Sequence, residues 1–144
     1  MKNSESYIYY KKTFIIFLSI WLLLTLFTAL SVVFDTNNLM LFIIVSIAIF
    51  VFILPFMLVM LVGMIKSKKA ENLPFEMGII KDLYPVFHFL PKQVLYAEVE
   101  LDEKKEILET HPLFPTKDLE KLKGKEIQVV RKGKKSAYVL MVIR

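Results

Sequence analysis

Uncharged residues run from Thr13 to Phe34 and again from Thr36 to Ile65, and only Asp35 separates the two runs. About 20 apolar residues rising ~1.5 Å each cross a ~30 Å hydrocarbon core. The pattern therefore predicts a membrane α-helical hairpin over 14–65, with two transmembrane helices at 14–34 and 39–65. A chain of 144 residues is too small to bury two helices that are apolar on every side.

Past the second run the period changes toward two. "QVLYAEVEL", Gln93 to Leu101, sets Ala97, Val99 and Leu101 against Glu98 and Glu100, "DEKK" makes a polar turn, and "EILET" returns as the second arm of a β-hairpin. "EIQVVRK" and "SAYVLMVIR", separated around Gly133, predict a second hairpin. "MGIIKDLYPVFHF" adds one or two strands broken near Pro85, because proline cannot donate to a ladder. Between the hairpins, "TKDLEKLKG" predicts one or two helical turns capped by Thr116 and stopped by Gly124. The fold class expected is thus a two-helix membrane anchor plus a small C-terminal all-β domain, an OB or SH3-like barrel or a sandwich, with one short helix.

Charge orients this layout. Of 19 cations, Lys2, Lys11 and Lys12 precede the first span and Lys66, Lys68 and Lys69 follow the second, whereas the "DTNN" turn has none. Positive-inside bias places both termini in the cytoplasm of a multi-pass protein of the cell (plasma) membrane. The expected organisation is a cytoplasmic segment 1–13, the hairpin, a basic linker 66–75, and a cytoplasmic β-domain 76–144. That last part is nearly neutral, since residues 70–144 hold 13 cations against 12 acids. A cleavable signal peptide, suggested by Ala29 and Ser31 in "TALSV", is disfavoured because the apolar run exceeds an ordinary signal core.

The short turn makes the helices antiparallel, so facing residues should have numbers summing to about 73. Thr25, Ala29 and Ala48 are then the candidate helix–helix contact, small enough for close approach in lipid. Pro55 removes the amide that would bond the Val51 carbonyl and is the candidate kink. Neither span carries an ionisable side chain, which argues against a pump, proton path or voltage sensor.

The anchor followed by "LKGKEIQVVRKGKKSAYVLMVIR" resembles the ending of NfeD-like membrane proteins and of domains of unknown function that join a small β-fold to membrane helices. The resemblance implies that layout and assigns no functional residue.

Signals for chemistry are few. There is no cysteine, and the four glycines are too dispersed to cradle a phosphate. His88 and His111 lack a second histidine at ligand spacing, and Ser136 sits in no nucleophile turn. No catalytic, cofactor-binding or metal-binding residue is expected. The acids from Glu98 to Glu109 read as a solvated face interleaved with Lys104 and Lys105. The basic cluster Lys121, Lys123, Lys125, Arg131, Lys132, Lys134 and Lys135 is the candidate surface for the membrane or a partner. No stacking motif accompanies it, so nucleic acid is not expected. Membrane lipids and a membrane-protein partner or a second copy are the expected partners. The function expected is that of a non-enzymatic accessory or adaptor protein. Toxin immunity or stress protection in a bacterium is one alternative. A membrane-anchored hydrolase using Glu100 with Asp102 or His111, beside Tyr84 or Tyr96, is the other.

Overall fold

The computed structural model describes residues 3–34, 37, 39–85, 95–112 and 119–143. Two long helices, α1 (Glu5–Phe34) and α2 (Leu39–Ala70), precede five strands: β1 (Glu76–Pro85), β2 (Leu95–Leu101), β3 (Ile107–Thr110), β4 (Glu126–Arg131) and β5 (Ser136–Val142). A 3₁₀ turn, Leu119–Leu122, lies between β3 and β4. His88 and Thr116 lie outside the described residues.

Both helices are long and apolar enough to cross a membrane, and no residue of the most apolar stretch of either is buried. They outrun the expected spans. α1 starts at Glu5, and α2 carries Lys66, Lys68 and Lys69 on its last turns, so the expected linker shrinks to 71–75. Ser4 begins α1 as an N-cap, its hydroxyl accepting from the Tyr7 amide at 3.2 Å.

The chain divides into two compact units, Tyr10–Val62 and a second made of Met1–Tyr9 with Gly63–Arg144. In the first, Phe17 stacks on Phe56 (5.6 Å between centroids) and Trp21 meets Phe50 (5.7 Å). Going up α1 by one turn goes down α2, so the helices are antiparallel as the short turn requires. Ala48 is exposed, Thr25 and Ala29 are half-buried, and the Thr25 hydroxyl donates to the Trp21 carbonyl of its own helix at 2.8 Å. Thr28 and Ser31 also donate to carbonyls within α1, so these hydroxyls are satisfied by their own helix. α2 continues through Pro55, whose side chain is exposed.

In the second unit the five strands close into a barrel in the order β1-β2-β3-β5-β4. β1 is long enough to pair on both sides, with Gly78 opposite Leu101 of β2 and Ile127 of β4. Closure comes from a two-pair parallel contact between β3 and β5, Glu109 with Ser136 and Thr110 with Ala137. Where the β2–β3 ladder ends, the buried Thr110 hydroxyl accepts from the Ala97 amide (2.9 Å). Gly124, at φ +81°, lets the chain leave the 3₁₀ turn and donate its amide to the Ile80 carbonyl (2.8 Å). The interior holds Ile80, Val99, Leu101, Leu108, Ile127, Val129 and Val139 with Ala97, Leu122, Ala137 and Val142.

Candidate functional site

Two regions of the second unit gather polar side chains: the seam between the helix ends and the barrel, and the tip of the β4–β5 hairpin.

At the seam, the buried Ser6 hydroxyl accepts a hydrogen bond from the Val139 amide at 2.8 Å, 133 positions away in the chain. This lies where β4–β5 pairing slips: Gln128 faces Met141 and Val129 faces Val139, which leaves Leu140 as an extra residue. A bulge frees ladder groups. Ser6 takes one of them. Next to it, the Ser4 amide donates to Glu71 Oε1 (2.8 Å), and Lys68 donates to Glu71 Oε2 (2.7 Å) and Asn3 Oδ1 (2.9 Å). Burial pushes the Glu71 carboxyl up, but the hydrogen bonds from Lys68 and Ser4 together hold it below the usual carboxylate value. Ser67 and Ala70, three apart on α2, are also buried. The small side chains of Ser4, Ser6, Ser67 and Ala70 permit close approach.

Two open cavities flank the seam. One of about 260 Å³ is lined by Asn3, Ser4, Glu5, Glu71, Phe75, Gln128, Leu140 and Met141. The other, of about 360 Å³, lies among Tyr7, Met64, Ile65, Lys68, Lys69 and Asn72.

The predicted basic surface is split. Lys121, Lys123 and Lys125 precede β4 and Lys132, Lys134 and Lys135 follow it, so a six-residue strand, roughly 20 Å at ~3.3 Å per residue, separates the two groups. Several of its cations are also engaged. Lys123 pairs with Asp82 (3.3 Å), and half-buried Arg131 pairs with both Glu76 (3.2 Å) and Glu106 (2.6 Å), joining the basic hairpin to the acidic one. Arg131 holds the Glu106 carboxyl below its ordinary value. Lys134 and Lys135 remain exposed at the hairpin tip without a carboxylate partner among the described residues.

Beside that tip, His111 stacks on Tyr138 with centroids 4.4 Å apart and planes 15° apart, and the Lys132 ammonium lies 5.7 Å from the same tyrosine ring. Burial first, then the Lys132 charge, lowers the His111 pKa to about 4. Because the unfolded chain binds this proton near pH 6.5 and the folded barrel only near 4, stability should fall as pH drops through that window. An NMR titration should show His111 at a midpoint near 4, moved upward by Lys132→Gln; a midpoint at the solution value would place the ring in water.

Lys81 pairs with Glu100, Asp102 is exposed in the β2–β3 turn, and His111 lies on Tyr138. The Tyr84 phenol is pushed up by desolvation and by Glu98 and Asp82. The Tyr96 side chain lies outside the described residues, and among those described no cluster of three His, Asp or Glu side chains could hold a metal. Sequence reasoning missed Ser4, Ser6 and Glu71, whose only signal is small and polar residues flanking the apolar runs.

No protein family, curated protein or solved structure matches the chain.

Proposed function

We propose that the protein is a membrane-anchored accessory protein: the helical pair spans the cell membrane with both termini cytoplasmic, and its ends hold a small barrel at the inner surface for a membrane-protein partner. The observation that carries this reading is the Ser6–Val139 hydrogen bond, with the Ser4–Glu71–Lys68 cluster beside it. A barrel on a free tether needs no such bond. One bonded to the residues that begin α1 has a second attachment besides the 71–75 linker.

In this reading the barrel is of OB type, as its strand order, its parallel β3–β5 contact and the helical turn before β4 support. OB barrels that bind oligonucleotides use the face of strands 2 and 3. Here that face carries Glu98 and Glu109 directly opposite each other, with Glu100 alongside. Such a face repels polyanions, which favours a protein partner over nucleic acid.

Because the chain has no cysteine, Lys134→Cys gives a single attachment point for a photoactivatable maleimide. Irradiation in membranes should yield one discrete protein adduct. Labelling without any adduct would overturn the adaptor reading.

A further inference from the structure

We propose that the cavity among Tyr7, Met64, Ile65, Lys68, Lys69 and Asn72 binds the headgroup of an anionic glycerophospholipid, a site that deepens the membrane-anchored reading and rests on it.

The cavity changes chemistry along its length. Met64 and Ile65 are the last large apolar residues of α2, and Lys68 and Lys69 follow about one turn, ~6 Å, later. An occupant must therefore be apolar at one end and anionic at the other. Free phosphate or a hydrophilic acidic peptide would leave the Ile65 end in water, and Ile65 is already 48% exposed.

The two lysines differ in what they have left to offer. Lys68 is held by Glu71 and Asn3, and its ammonium lies 5.1 Å from the centroid of the Tyr7 ring. It fixes the wall of the cavity. Lys69 has no carboxylate partner among the described residues, so its charge is uncompensated at the polar end. Tyrosine is favoured at the membrane interface because an apolar ring carries a polar tip, and a lysine can bury its stem while its ammonium meets the phosphate. Exposed Asn72 adds an amide at the same end. Lys66 lies in the same basic stretch but outside the cavity, which separates a site from general surface attraction.

The experiment uses the full chain in detergent, mixed with equal amounts of phosphatidylglycerol and phosphatidylcholine of matched acyl chains, with retained lipid read by native mass spectrometry. Phosphatidylglycerol should be retained preferentially. Lys69→Gln should lower that preference about fivefold, the change expected for one well-placed cation. Lys69→Arg should preserve it, and Lys66→Gln should leave it nearly unchanged. Inorganic phosphate at millimolar concentration should not displace the lipid.

Equal retention of the two lipids, equal responses to Lys66→Gln and Lys69→Gln, or displacement by inorganic phosphate would each overturn the site. Carbonate washing of vesicles containing the same chain reads the anchor separately. Release by carbonate would overturn the spanning reading and the site with it, whereas retention without lipid preference overturns the site alone.

Discussion

Gly78→Ala should be the most damaging small substitution in the barrel, at about 3 kcal/mol, the upper end for overpacking a filled core. A Cβ at this position would stand 2.5 Å from Val99 Cγ1 and 2.8 Å from the Glu100 carbonyl oxygen. Val99 could rotate away. The Glu100 oxygen belongs to the β2 backbone, and β1 cannot retreat from it because its other edge is paired with Ile127. Gly124 and Gly133 make internal controls. At Gly124 nothing lies within 4 Å, but φ is +81°, so alanine there should cost about 1 kcal/mol of backbone strain. At Gly133 the nearest atom is Ser136 Oγ, at an ordinary 3.6 Å, and alanine should be nearly neutral. Thermal unfolding of the purified full chain, followed through barrel amides, should rank the losses as Gly78, Gly124, Gly133. If Gly133→Ala proved as harmful as Gly78→Ala, steric closeness at β1 would not be what limits this barrel.

Some of this architecture was legible because one local rule governs it. The apolar runs identify α1 and α2 without any tertiary information, and alternation along "AEVEL" and "EIQVV" places Val99, Leu101, Ile127 and Val129 inside. The apolar runs mark the spans but not the helix ends, because Glu5, Lys11, Lys12 and Lys66 to Lys69 interrupt the apolar pattern while helical hydrogen bonding continues through them. The closing β3–β5 contact has only two residue pairs, separated by more than 20 positions, so no local period announces it. The basic cluster reads as one patch in sequence because β4 is short. In space, that strand carries its two halves to opposite ends, and Arg131 turns to Glu76 and Glu106. For the helix pair, the register rule was legible from the short turn alone: Phe17 with Phe56 sums to 73 and Trp21 with Phe50 to 71.

Ser6→Ala should release the start of the chain from the barrel without unfolding either. It removes the acceptor for the Val139 amide at a site where Ser6 is fully buried, and an unsatisfied buried donor costs about 1–3 kcal/mol. Hydrogen exchange at Val139 and across residues 3–9 should therefore accelerate roughly 10- to 100-fold. Exchange in the Leu101–Ile107 turn on the far hairpin should not change. Ser31→Ala is the control, because that hydroxyl is exposed and donates only to Thr28 of its own helix. Acid should reproduce part of the effect through Glu71. Its folded pKa lies below the ordinary carboxylate value, so its contribution is present above that value and is lost as pH falls through the folded pKa. Protonation weakens the pair with Lys68, and Glu71→Gln should mimic it at neutral pH and remove the acid step. Unchanged exchange at Val139 in both Ser6→Ala and Glu71→Gln would mean that the residues beginning α1 do not hold the barrel, and the accessory reading would lose the observation that carries it.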